Sequence, residues 1–575
     1  MDHQLFESRA RERLELLYGE ERAAGLMDRL RHIVWRHRSQ RAQGWQGPRW
    51  SEADALLISY GDSVQRPGAA PLRALKDFLD RRLTGVFSML HILPFFPYSS
   101  DDGFAVSDFR AVHGELGDWD DIAALGERFG LLFDLVLNHM SREHLWFVNY
   151  VHDEHPGKDY VIEVDPSANL SQVVRPRSTP LLSRVRTPRG MRQVWATFSN
   201  DQIDLNYANP EVLFEFLDIL LEYVRRGARG VRLDAVGFLW KEIGTSCIHL
   251  PQTHEVVKLF RDLLDYLEPG AILLTETNVP HRENVSYFGA GDEAHLVYQF
   301  SLPPLLLHAI HSGDTRYLTA WARSLEAEPP PPGCSYLNFT ASHDGVGLRP
   351  LEGIVPEEEV ERLLEDMRAR GGFVSMRATT DGRDRPYELN ISYFDAFRDP
   401  RLTEDPQQIP RFLLSQTVPL ALAGLPAVYL NALVATPNDP LGVERTGMTR
   451  SINRRKWDGA ELEGLIDRPD TDAGRVFPEY CRRLRLRRRL AAFHPEAAQQ
   501  VLELPSGLFG VARLSLDGGQ RILALHNCSA GELQVPAAVL RGNSWSDRLS
   551  DAPPLSAGTA FTLAPYQAVW LEALA

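Results

Sequence analysis

Three carboxylates stand at the ends of short apolar runs. Asp234 closes Gly230-Val231-Arg232-Leu233, Glu276 follows Leu273-Leu274-Thr275, and Asp344 follows Ser342-His343. A fourth run, Asp134-Leu135-Val136-Leu137-Asn138, ends on His139. A single carboxylate in such a place is usually a helix cap or half of an ion pair. Three together, in the company of Arg232, His139 and His343, supply what acid, base and nucleophilic chemistry at carboxyl groups requires.

Side chains so far apart in sequence can cooperate only if the runs that carry them lie side by side. Eight runs have the look of strands buried on both faces: Leu56 to Tyr60, Val86 to Leu93, Leu131 to Leu137, Gly230 to Ala235, Ala271 to Thr275, His295 to Phe300, Ser335 to Thr340 and Ala427 to Leu430. Helical stretches separate them, which predicts a parallel sheet, and eight such strands fit a closed (β/α)8 barrel of the TIM type, class α/β. One connecting helix is well punctuated. Asn209 is placed to cap it, Pro210 fits its first turn, Leu213, Phe216, Leu217, Leu220, Leu221 and Val224 share a face, and Arg225-Arg226-Gly227 ends it. In a barrel the loops after the strands surround the active site, so all the strand-end groups above fall on one side.

The rest of the chain is read as additions to that barrel. Residues 1–50 carry apolar side chains at near-helical spacing and predict a helical extension of two helices. The barrel then occupies 51–138, 207–345 and 409–490. Polar residues, Pro and Gly dominate 139–206 and 346–408, which predicts two inserted loop subdomains, B and B′. Residues 491–575 alternate over short segments, as in Gln520 to Leu525 and Ala568 to Leu571, and predict an antiparallel β-domain.

The segments DLVLNH, GVRLD, TE and SHD resemble, in order and spacing, the four motif regions of the α-amylase superfamily, glycoside hydrolase family 13. The segments LISYGDS, HILPFFPYSSDDGF, RLDAVGFLWKEIGTSC and YQFSLPPLLLHAI are more similar to its sucrose phosphorylase subgroup. That resemblance implies Asp234 as nucleophile, Glu276 as general acid/base and Asp344 as stabiliser of an oxocarbenium-like transition state. A retaining glycosyl transfer needs two carboxyl groups about 5 to 5.5 Å apart, one ionised and one protonated. Arg232, two residues before Asp234, is placed to hold it ionised, and Glu276 needs a raised pKa.

The resemblance further implies a glucosyl pocket of Asp101, Phe104, His139, Phe198, Gln202, Arg232, His343 and Arg454. For phosphate and the acceptor it implies Arg177, together with Arg383, Arg385 and Tyr387 on the second insertion. Asn278 and His281 follow the acid/base where sucrose phosphorylases would carry a histidine two positions on. TETNVPH and PYELNISYFDAF look more like relatives acting on sucrose 6-phosphate, glucosylglycerate or glucosylglycerol. The expected activity is a hexosyl transfer, α-glucoside plus phosphate giving α-glucose 1-phosphate. The freed acceptor stays open among fructose, fructose 6-phosphate, glycerate and glycerol. A hydrolase or transglucosidase using the same residues is the alternative. Inorganic phosphate is then a co-substrate, with no organic cofactor and no metal.

Composition sets the outer bounds. In 575 residues, 62 basic against 77 acidic side chains leave a net charge of −15, and no Lys/Arg-dense region suits a nucleic-acid partner. The charged start of the chain and the lack of about 18 consecutive apolar residues predict neither a leader nor a membrane segment. Cys247, Cys334, Cys481 and Cys528 form no C-x-x-C pair and read as scattered reduced thiols of a cytoplasmic protein, monomer or homodimer.

Overall fold

The computed structural model describes residues 1–40, 45, 47–379 and 383–574. Eight strands run parallel in a closed ring: β1 (Leu56–Ser59), β2 (Met89–Ile92), β3 (Gly130–Leu135), β4 (Ala228–Leu233), β5 (Ile272–Thr275), β6 (Leu296–Tyr298), β7 (Ser335–Asn338) and β8 (Leu425–Tyr429). Each pairs with its neighbours in sequence, and β8 closes on β1 through Leu56 opposite Ala427. All eight expected runs are there, one to three residues shorter at most ends. Their continuous apolar character follows from burial on both faces, by barrel interior and by helices. Register matters at β3 and β4, where Asp134 lies opposite Arg232, so both side chains leave the sheet on the same face.

The helix Pro210–Arg225 starts as its sequence predicts. The Asn209 side chain accepts from the Glu211 N–H, Pro210 occupies the first turn, and Leu213, Phe216, Leu217, Leu220 and Leu221 are buried. At the start of the chain, α1 (His3–Tyr18) and α2 (Glu20–Gln40) form two helices. Phe6 of α1 stacks on Tyr266 with ring centres 4.3 Å apart. Arg13, buried, reaches Glu255 at 3.0 Å, Asp292 at 3.2 Å and Asp262 at 3.7 Å. Glu255 and Asp262 belong to the helix Pro251–Leu267 and Asp292 to the connection between β5 and β6, so α1 is tied to the barrel's outer layer by packing and by charge.

Between β3 and β4 a short strand, His139–Ser141, pairs antiparallel with Gln202–Asp204, and a hairpin is formed by Leu182–Thr187 and Gly190–Trp195. Buried Lys241, in the loop after β4, joins this region to the barrel. Its ammonium reaches Asp204 at 2.6 Å and Asn138 Oδ1 at 2.8 Å, and donates to the Phe238 carbonyl.

Between β7 and β8, Val346–Gly347, Asp384–Asn390 and Phe373–Ala378 make a three-stranded antiparallel sheet. A 13-residue helix, Glu357–Ala369, precedes it. The sequence reading gives this stretch to polar loop, yet Val360, Leu363, Leu364 and Met367 stand at helical spacing, and the last three are buried. The many charges around that stripe masked it.

After the barrel, five antiparallel strands form a sheet over residues 498–573, with a separate two-stranded pair, Leu533–Val535 and Phe561–Leu563. Leu508, Leu523, Leu525, Trp545, Val569 and Leu571 lie in a core of their own. The four thiols are free and buried. Among the described residues no helix is long and apolar enough to cross a membrane.

Candidate active site

The ends of the barrel strands converge on a cavity. Its wall includes Asp234, Glu276 and Asp344 together with Asp101, Phe104, His139, Arg177, Phe198, Gln202, Asn278, His343 and Tyr387. Twelve of the seventeen residues singled out in the sequence therefore line one space. Arg232 and Arg454 lie directly beneath it, nearly without solvent exposure, and act on the cavity through its carboxylates.

Arg232 is the electrostatic hub. Its Nη1 donates to Asp234 Oδ1 at 2.8 Å and to Asp134, and its Nη2 lies 3.8 Å from Glu276 Oε2. Asp134 is in turn held by His91 at 2.7 Å. Arg232 favours the ionised form of Asp234, but the guanidinium divides its charge among three acids and is opposed by burial. Burial, opposed by Arg232 and reinforced by neighbouring carboxylates, pushes both Asp234 and Glu276 up to about 7. With one proton between them, it belongs on Glu276, because Asp234 has the short contact to Arg232 and Glu276 the long one.

The backbone contributes as well. Ala235 is left-handed at φ 52°, which turns its N–H onto Glu276 Oε2 at 3.1 Å. For a residue with a Cβ this conformation carries strain, held in place by the surrounding structure.

Asp344 is the acid that stays charged. Arg450 approaches it at 2.5 Å and, with Arg232 and Arg454, holds its pKa below the usual carboxylate value against burial. Arg450 also clasps Glu388 through two hydrogen bonds of 2.9 and 2.6 Å. The sequence reading missed Arg450 although it stands four residues before Arg454 in T-R-S-I-N-R-R. It also missed Asp102, which takes the shorter contact with Arg454, 2.8 Å against 3.5 Å for Asp101. Asp101 and Asp102 are both left-handed, at φ 54° and 48°.

His343 lies flat on Phe104, ring centres 4.8 Å apart, and its Nε2 is 3.4 Å from Asp344. Burial and the neighbouring arginines hold its pKa well below the ordinary value, so it is neutral. His139 is likewise lowered by burial, and its Nε2 meets the Phe104 carbonyl at 2.9 Å. The Gln202 amide lies 3.4 Å from Asp101. The pocket thus offers neutral imidazoles and an amide, groups suited to sugar hydroxyls, beside its carboxylates.

Arg177 enters from the first insertion. Its guanidinium lies 5.1 Å from the Tyr387 ring centre and 6.0 Å from that of Phe198, and among the described residues no carboxylate pairs with it. A cation held by two aromatic faces is left available to an anion.

The structure does not bring His281, Arg383 or Arg385 to the cavity. Pro280 starts a helix at His281–Val285 that turns the imidazole towards Tyr336. Arg385 pairs with Glu357 at 3.0 Å on the exposed side, and Arg383 is exposed just before the strand Asp384–Asn390, whose middle supplies Tyr387. His249 and Arg349, which sequence reasoning passed over, do line the cavity.

A (β/α)8 barrel thus carries, at the ends of its strands, a cavity lined by the carboxylates of Asp234, Glu276 and Asp344. Residues 84–325 match the family model described as alpha amylase, catalytic domain. The chain is 45% identical over 550 residues to a glucosylglycerate phosphorylase of Spirochaeta thermophila, covering 93% of this chain and 91% of that protein. It is 44% identical to the glucosylglycerate phosphorylase of Allomeiothermus silvanus over 97% of each. The crystal structure of sucrose 6F-phosphate phosphorylase from Thermoanaerobacter thermosaccharolyticum shares the fold, with a TM-score of 0.71 at 24% identity over 85% of this chain and 95% of that one. The chain belongs to the α-amylase superfamily, in the sucrose phosphorylase subgroup of hexosyl-transferring glycoside phosphorylases.

Proposed function

We propose that this chain is a configuration-retaining glucosylglycerate phosphorylase, converting α-glucosylglycerate and phosphate to α-glucose 1-phosphate and glycerate. The observation that carries the choice of acceptor is the 44–45% identity, over nearly the whole chain, to proteins of that activity. The residue roles rest on the cavity.

Asp234 attacks the anomeric carbon while Glu276 gives its proton to the glycosidic oxygen, and glycerate leaves. Hydrogen phosphate then attacks the glucosyl ester from the vacated side, surrendering its proton to Glu276 and freeing Asp234. Two inversions restore the α configuration. Asp344, charged throughout, faces the positive charge that develops on the sugar ring. His139, His343, Asp101 and Gln202 take the glucosyl hydroxyls, with Phe104 and Phe198 as apolar walls. Arg177, backed by Tyr387, receives phosphate. No cofactor or metal enters this scheme.

The test runs the reaction backwards. α-Glucose 1-phosphate is offered with glycerate, glycerol, fructose or fructose 6-phosphate, and phosphate release is followed. Glycerate should give the fastest release. If no acceptor outpaces the water blank, the chain is a hydrolase and the phosphorylase reading is lost.

A further inference from the structure

We propose that Arg349, which lines the cavity together with His249 and Asn278, is the group that recognises the carboxylate of the acceptor and so sets the preference for an anionic over a neutral one. The proposal rests on the glucosylglycerate reading above and names the side chains that would carry it out.

Arg349 follows the short strand Val346–Gly347 by two residues and lines the cavity beyond Glu276. Its side chain is only 11% exposed, and its buried Nε has no hydrogen-bond partner among the described residues. The two carboxylates near it, Glu283 and Glu352, both stand off at 3.8 Å. Glu352 is already engaged by Arg377 at 2.9 Å, and Glu283 lies 3.3 Å from His249. A guanidinium taken this far out of water and left without a close partner is costly unless an anion completes it.

Its neighbours are oriented for the same task. His249 is left-handed at φ 55°, its Nδ1 lies 2.8 Å from the Tyr287 hydroxyl, and its ring packs on Gly237, where a Cβ would come within 3.0 Å of Cε1. Asn278, two residues after Glu276, has a buried Oδ1 with no partner, and Gly347 permits its approach: a Cβ there would lie 2.2 Å from that oxygen. Arg349 Nε and Asn278 Oδ1 are thus buried polar atoms without hydrogen-bond partners, on residues that line the same cavity as Glu276. A planar fork, an amide and an imidazole fit a short hydroxy acid, whose carboxylate takes the fork and whose hydroxyls take the rest. Glycerol offers nothing to the fork.

The experiment compares the parent chain with Arg349→Met and Arg349→Lys in the synthesis direction, using glycerate and glycerol as acceptors, and adds the KM for phosphate in the other direction. Arg349→Met should raise the glycerate KM at least tenfold relative to glycerol and relative to phosphate. Arg349→Lys should retain part of the preference, because charge remains but the fork is lost; it carries the test if the Met variant fails to fold. Equal losses for glycerate and glycerol, or a rise in phosphate KM matching that for glycerate, would overturn the assignment. A parent chain without preference for glycerate sinks the functional reading itself, before any variant is measured.

Discussion

At the scale of the residue, the centre is governed by how one cation is shared. Arg232 touches Asp234, Asp134 and, more distantly, Glu276, yet burial outweighs its pull and, with the neighbouring carboxylates, raises both Asp234 and Glu276 to about 7. The working form holds one proton. The profile of kcat/KM against pH should therefore be a bell, falling below neutrality as Asp234 protonates and above it as Glu276 loses its proton. Glu276→Gln should cut turnover of a glucoside with a poor leaving group by roughly 10² to 10⁴ and remove the alkaline limb from the residual activity. The same variant tests linkage. An acid whose folded pKa is raised contributes stability that is fully present below the unfolded value near 4.5 and lost as pH rises through about 7. Removing the ionisable group should thus stabilise the fold by roughly 1 to 3 kcal/mol at pH 8 and hardly at all at pH 4, measured by denaturant unfolding at both. For Arg177, aromatic faces and no carboxylate partner imply that Arg177→Ala raises the phosphate KM more than it slows hydrolysis of α-glucose 1-phosphate; equal losses would remove it from the anion site.

At the scale of the element, the barrel strands were legible because burial on both faces leaves largely apolar runs, and carboxylates and histidines follow several of them where they meet the mouth. That contrast located Asp234, Glu276, Asp344, His139 and His343. It could not locate Arg349, His249 or Arg450, which reach the cavity from loops whose return path depends on packing remote in sequence. The outward Arg383 and Arg385 show the complementary failure: Tyr387 lies on the strand that Arg383 precedes and Arg385 shares, but two residues along, the strand has already passed from the cavity to the solvent-exposed end. The Lys241 junction gives this scale its prediction. Lys241→Met leaves fully buried Asp204 without its ammonium partner, at a cost of about 3 to 5 kcal/mol. Hydrogen exchange should show residues 139–206 losing protection before β1 to β8; uniform loss would mean that the junction does not hold the insertion separately.

At the scale of the whole molecule, the first helices and the last sheet flank the barrel without contributing side chains to the cavity wall. Arg13 answers three acids of the outer layer, one of them Asp262 with a side chain fully shielded from solvent. Arg13→Met should lower the melting temperature while leaving the KM for phosphate within about twofold; a selective change in that KM would mean the extension reaches the active centre. The cavity itself is gathered from residues between Asp101 and Arg450. Asp102, in an unfavourable backbone conformation, meets its guanidinium partner 352 positions further on. During synthesis the early half of the pocket must wait, unbraced, until Arg454 has left the ribosome, so a chain that already carries Asp101, Asp102 and Asp234 still lacks the guanidinium that the first two meet.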